Sequence, residues 1–222
     1  MSAHDSNGIA RADSGVGAVR RGLDVVVSVI VLVAALPVLL VIAIAIRLTS
    51  RGPILFHQQR VGEGGSLFTL HKFRTMIARS SGPEFTVPDD PRITRVGRIL
   101  RAAHLDELPQ LGNVLRAEMT LVGPRPETPG LADRYPTDLR RVLGYRPGMT
   151  GPCQVYMELP SPPPGVDAED FYLSELVPRR VALDMAFLEH PTVAATIAML
   201  AATLAVMVGL RKPGGKRLPD LA

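Results

Sequence analysis

The chain has 222 residues, carries a net charge of +4 at neutral pH with a sequence pI near 9.6, and is 46% hydrophobic but only 5% aromatic, with no Trp. That apolar content excludes a disordered chain and a collagen, and a lone cysteine, Cys153, excludes a disulfide scaffold and a cysteine-based zinc site. A mean hydropathy of +0.19 beside 21% charged residues predicts apolar residues gathered into blocks within one domain or two small ones.

Residues 1–21 are polar and Gly/Ser-rich and read as a mobile tail. From Val25 to Ile46 the chain runs 22 residues without a charge, VVVSVIVLVAALPVLLVIAIAI. A straight helix of that length reaches about 33 Å, close to the hydrocarbon thickness of a bilayer. It has no polar face for solvent, so membrane insertion is expected. Pro37 removes an amide mid-run and clashes with the carbonyl of Val33. Arg20 and Arg21 precede the run and Arg47 and Arg51 follow it, so the positive-inside rule casts no vote. On residues alone, a helix bent at Pro37 that returns to its own side and a kinked transmembrane helix both remain open.

Two β-prone runs, Ile54–Val61 and Leu67–Phe73, flank a Gly-rich turn at Gly62–Gly65 and predict a hairpin. Residues 78–91 read as a loop. Ile93, Val96, Ile99, Leu100 and Ala103 recur at helical spacing, with Pro91 suited to a first turn. Arg92, Arg95, Arg98 and Arg101 form a basic stripe on that helix, which suits lipid headgroups or water, least so at Arg101. A second helix is expected from Asp106 as N-cap, with Pro109 in its first turn and Leu108, Leu111, Val114 and Leu115 on its apolar face. Asp106 and Glu107 then sit at a helix start, where the dipole favours carboxylates.

Further on, Arg125 is locked between Pro124 and Pro126 after Gly123, a stiff mount for a fixed cation. RPGMTGP over 146–152 is a second stiff loop, and ELPSPPPGVD over 158–167 a Pro-rich surface linker. His190–Leu210 has no Asp, Glu, Lys or Arg, and a basic tail with Arg211, Lys212, Lys216 and Arg217 follows.

RGPILFHQQRVGEGGSLFTLHKFRTM, DPRITRVGRILR, LDELPQLGNVLRAEMTLVGPRPE and RPGMTGPCQV occur in that order after an apolar segment. Together they strongly resemble the bacterial sugar transferases, the small monotopic phosphoglycosyl transferases, from about residue 20 to 210. The resemblance implies transfer of a sugar-1-phosphate from a UDP-sugar to a polyprenyl phosphate, usually undecaprenyl phosphate, with release of UMP. That is the first membrane step of exopolysaccharide, O-antigen or other glycoconjugate synthesis, at the cytosolic face of the bacterial inner membrane. It further implies a re-entrant helix broken at Pro37, Asp106 as nucleophile forming an aspartyl-phosphosugar, and Glu107 holding Mg²⁺ with Asp106 or orienting the pair. The Pro-Arg-Pro motif falls on Pro124, Arg125 and Pro126.

The chemistry fits those residue types. An anion attacking a charged diphosphate needs fixed cations and a metal to cancel repulsion. A carboxylate attacking phosphorus splits one displacement into two. Arg101 and Arg125 are candidate phosphate clamps, and Lys72 and Arg74 candidates for the nucleotide side. The family often has Ser at His104 and Trp at Gly112, both read as packing changes. Its usual Gly-Arg after Gln154 is replaced here by Val155-Tyr156, a difference that bears on the sugar.

The expected fold is α+β. It comprises a tail (1–21), a membrane helix (22–47), a mostly helical cytosolic catalytic domain with a β-hairpin (48–189), a membrane-surface helix (190–210) and a basic tail (211–222). A catalytically silent membrane-anchored scaffold of the same descent is the alternative, and the intact Asp106, Glu107 and Arg125 speak against it. Nucleic-acid binding is disfavoured by the lack of aromatic stacking platforms.

Overall fold

A computed structural model describes residues 17–77, 90–158, 160–189, 191–210 and 214. The tail before residue 17, the loop over 78–89 and the basic residues after 210 lie outside the described residues. The apolar block forms α1, Ala18–Thr49, a 32-residue helix that contains Pro37 and keeps helical turns on both sides of it. The expected break is therefore not a gap in the helix. The helix also begins earlier than expected, so residues 18–21 are not tail. Arg20 and Arg21 find carbonyl partners in the folded body, which holds the first turn.

The middle of α1 is exposed and apolar, with Val29, Ile30, Val33, Leu36, Leu40 and Val41 facing outward. Its two ends are not. Arg20, Asp24 and Ser28, spaced four apart on one face, are buried at the first end, and Ile42 and Ile46 at the second. Ile42 and Ile46 pack with Phe73 and Leu100.

The hairpin forms as predicted: β1 (Leu55–Val61) pairs antiparallel with β2 (Leu67–Phe73), with Phe56 opposite Lys72. The helix expected from residue 91 starts later, as α2 (Arg95–Ala102). Thr94 caps it by accepting from the Gly97 amide at 2.9 Å. Arg92 stays outside the helix because Asp90 holds it, Nη2 to Oδ2 2.7 Å, so the basic stripe loses its first member.

His104 then adopts a left-handed conformation, φ 54°, and ends this stretch of helix. Histidine enters that region more readily than bulkier residues. The next residues form a 3₁₀ turn, Leu105–Gln110, followed by α3 (Leu111–Leu115). Asp106 is thus inside the turn rather than its N-cap, a correction set by the reversal at His104.

Sequence patterning did not reveal the parallel pair of β3 (Thr120–Val122) and β4 (Gly148–Thr150). Here Gly123 and Gly148 approach so closely that a Cβ on Gly148 would press on the Gly123 backbone. Short helices α4 (Pro129–Asp133), α5 (Pro152–Tyr156) and α6 (Ala168–Phe171) follow, then a π-turn into α7 (Val177–Leu188) and α8 (Val193–Met207). The main core gathers Leu70, Val114, Met119, Val122, Val177 and Phe187, so hairpin, α3, β3 and α7 share one interior. The α+β expectation holds.

Candidate active site

The 3₁₀ turn presents two adjacent carboxylates differently. Glu107 points to the open face of the hairpin, where Lys72 Nζ lies 2.9 Å and Arg125 Nη2 3.6 Å from its Oε1. The alternation of β2 sets this, because Leu70 and Lys72 share the face that meets the turn. Burial works against the Glu107 charge, but Arg125 and then Lys72 outweigh it and hold the carboxyl down to about 2. Lys72 is pushed down by burial, against the pull of Glu107.

Asp106 is buried, and among the described residues it forms no ion pair. Burial raises its carboxyl above the usual range, and the negative charge of Glu107 adds to this; Lys72 and Arg101 pull the other way. Two neighbouring carboxylates are thus driven apart in acidity, the pattern of groups with divided roles. Of the two, Asp106 is the more basic carboxylate.

Arg125 is half-exposed on a loop fixed from several sides. Gly148 donates to the Pro124 carbonyl at 2.8 Å and Gly123 to the Thr150 carbonyl at 2.9 Å. Arg60 donates to the Pro126 carbonyl at 3.2 Å, and the Val61 amide to the Glu127 carbonyl at 2.9 Å. The Glu127 carboxylate, buried, accepts from Arg180 at 2.7 Å and from the Tyr172 hydroxyl. Arg60, Lys72, Glu107, Gln110, Arg125 and Met149 line one shallow cleft. A second recess lies on the other side of the same loop, against Glu127, Tyr135, Arg180 and Asp184, away from Asp106 and Glu107.

The remaining candidates stand apart from that cleft. Arg101 donates through Nε to the Thr75 hydroxyl at 2.9 Å and acts on Asp106 as a neighbouring charge. Arg74 is buried and holds the end of α1 through the Ser50 carbonyl and hydroxyl, 2.9 and 2.8 Å. Pro37 is far along α1 in the exposed apolar stretch. Cys153 is buried with its thiol pushed up to about 12, so it is inert.

Sequence reading did not single out Arg60, Asn113, Glu127 and Arg180. Asn113 is fully buried and ties β2 to α3, accepting from the His71 amide at 3.2 Å and donating to the Thr69 carbonyl at 2.7 Å. A signal for Arg180 existed: it sits between apolar positions of a helix, four residues before Asp184.

Whether this chemistry accommodates a divalent ion depends on its donors. Among the described residues no third His, Cys, Asp or Glu joins Asp106 and Glu107. A fully protein-ligated metal does not fit. A hydrated Mg²⁺ does, since it takes hard oxygens, keeps its waters and needs only one or two carboxylates beside substrate phosphate.

Comparison with known proteins places the chain in a family. A family model described as bacterial sugar transferase matches residues 16–210. The UDP-glucose:undecaprenyl-phosphate glucose-1-phosphate transferase of Caulobacter vibrioides is 48% identical over 141 residues, covering 61% of this chain and 53% of that protein. A UDP-N-acetylgalactosamine-undecaprenyl-phosphate N-acetylgalactosaminephosphotransferase of Aeromonas hydrophila is 40% identical, covering 62% and 34%. The undecaprenyl-phosphate galactose phosphotransferase of Salmonella typhimurium is 39% identical, covering 61% and 32%. The match thus spans about half or less of these relatives' length, and their named sugars differ. With the family match running from the start of the membrane helix to the end of α8, the chain belongs to the bacterial sugar transferase family.

Proposed function

We propose that this protein is a phosphoglycosyl transferase that moves a sugar-1-phosphate from a UDP-sugar to undecaprenyl phosphate. The observation that carries the reading is a buried Asp106, without an ion pair among the described residues, beside a Glu107 held ionised by Lys72 and Arg125.

In the first step an Asp106 carboxylate oxygen attacks the phosphorus that bears the sugar. The bond from that phosphorus to the bridging oxygen breaks, and UMP leaves with the electron pair. The product is an aspartyl-phosphosugar, a mixed anhydride. In the second step an oxygen of undecaprenyl phosphate attacks the same phosphorus. The phosphorus–Asp106 bond breaks, the carboxylate is restored, and the lipid diphosphate sugar is released. Arg125 and Lys72 offset the charge on the donor diphosphate at the cleft, and Arg101 does so from the side of α2. Asp106 and Glu107 would hold Mg²⁺, which supplies charge neutralisation at the diphosphate.

The reading places α1 as a re-entrant helix with both ends at the cytosolic face of the bacterial inner membrane. Supporting this, the buried residues at both ends of α1 pack on one folded body, while the exposed apolar stretch lies between them. At 15 residues α8 is about 22 Å long, short for a bilayer span, which favours a surface helix. The reaction is then the first membrane step of a surface glycan or glycoconjugate. The test is UMP release from a panel of UDP-sugars with undecaprenyl phosphate and Mg²⁺. Turnover of at least one is expected; none from a folded preparation would overturn the reading.

A further inference from the structure

We infer that the first turns of the membrane helix hold the active site in register, with Arg21 and Asp24 as positioning residues for the contact between Glu107 and Arg125. The inference rests on the functional reading above.

The two halves of the site arrive on different segments. Glu107 precedes α3, and Arg125 follows β3 after Gly123 and Pro124. One short stretch of α1 grips both. Arg21 donates to the Val114 and Leu115 carbonyls at 2.6 and 2.9 Å, in the last turn of α3. Arg20 donates to the Val122 carbonyl at 3.2 Å. Asp24 accepts from the Leu121 amide at 3.1 Å and the Thr120 hydroxyl at 2.7 Å. Asp24 is 1% exposed, so each of its carboxylate oxygens is satisfied by β3 itself.

An α-helix is stiff over four residues. Fixing Arg21 on α3 and Asp24 on β3 therefore fixes the spacing of the two segments that deliver Glu107 and Arg125. Those side chains stand 3.6 Å apart, a separation that a shift of about 1 Å between segments would change severely. A mere anchor would need only apolar contacts at this end. The bonds made here instead go to the two site-bearing segments themselves, to the backbone of α3 and β3 and to the Thr120 hydroxyl.

The test uses the full-length chain in phospholipid nanodiscs, with UMP release measured well below each variant's melting midpoint. Asp24→Leu is expected to lower kcat about tenfold or more, and Asp24→Asn, which still accepts from Leu121, to recover most of it. Arg21→Gln is expected to lower kcat at an unchanged melting midpoint, which decides the matter should Asp24→Leu fail to fold. In an Arg125→Ala background, Asp24→Leu or Arg21→Gln should add no more than about a threefold loss, because the residue positioned is already gone. Independent, multiplicative losses, or wild-type kcat in Arg21→Gln, would overturn the inference while leaving the transferase reading intact. A wild type that turns over no UDP-sugar would overturn the transferase reading, and the inference with it.

Discussion

Lys72 Nζ stands 2.9 Å from Glu107 Oε1, across 35 residues of sequence, and joins the hairpin to the turn that carries Asp106 and Glu107. Both side chains are only about one-fifth exposed, so the cost of desolvating them offsets most of their attraction and the pair's net worth to folding is about 1–2 kcal/mol at most. Its larger effect is on the site. Lys72→Met should leave a folded protein whose UMP release falls about 100-fold. In a Glu107→Gln background the same substitution should cost far less, because the two act as a unit. Equal losses in both backgrounds would refute the coupling.

Asp106→Asn keeps the shape of the buried side chain and removes the anion. In the proposed two-step reaction it should abolish the sugar-phosphate adduct seen by intact-protein mass spectrometry and lower turnover by about 10³-fold or more. An adduct retained in this variant would sink the nucleophile assignment.

Gly97 lies where α2 crosses the chain after β2. A Cβ there would stand 2.7 Å from the Thr75 carbonyl carbon and closer still to its oxygen. That oxygen also receives the Thr94 amide at 2.9 Å, so it has little room to move. Gly97→Ala should destabilise the fold by about 1–3 kcal/mol despite its better helix propensity. It should also weaken activity by displacing Arg101, whose Nε is held on Thr75. A melting midpoint at or above that of the wild type would contradict the crowding argument.

Asp184 titrates where a stability measurement can see it. Burial pushes its carboxyl up to about 6, with Arg180 and the Cys153 amide opposing. The folded pKa lies above the unfolded value of about 3.9. The protonated form is therefore favoured on folding. Its contribution is complete below the unfolded value and is lost as pH rises through about 6. Asp184→Asn removes that dependence. Relative to wild type, the variant should melt higher at pH 7.5 than it does at pH 4.5. A difference in midpoint that is flat with pH would refute it.

Much of the frame was legible in the chain because it is written locally. The charge-free run gave α1, the alternating runs around a Gly-rich turn gave the hairpin, and paired prolines gave a stiff mount for Arg125. The acidic pair was visible, but the contrast between the surroundings of its two members was not. Lys72 and Arg125 reach Glu107 from 35 residues before it and 18 after it, and no periodicity encodes that meeting. The three-residue strands β3 and β4 are too short to show alternation, and the first helix of the basic stripe began late because Asp90 captured Arg92. Arg20 and Arg21 looked like flanking charges of a membrane segment; only the tertiary fold supplies the carbonyls that place them inside the helix.

The polar face at the start of α1 also bears on how the chain is made. Asp24 finds Thr120 only 96 residues later, and Arg20 finds Val122 only 102 residues later. At about 5–20 residues per second, the apolar stretch reaches the membrane roughly 5–20 s before those partners leave the ribosome. Over that interval Arg20, Asp24 and Ser28 must stay hydrated at the lipid surface, since none has a partner in lipid. They would hold the first end of α1 at the interface while the rest of the helix enters, leaving it within reach of β3 when that strand is synthesised.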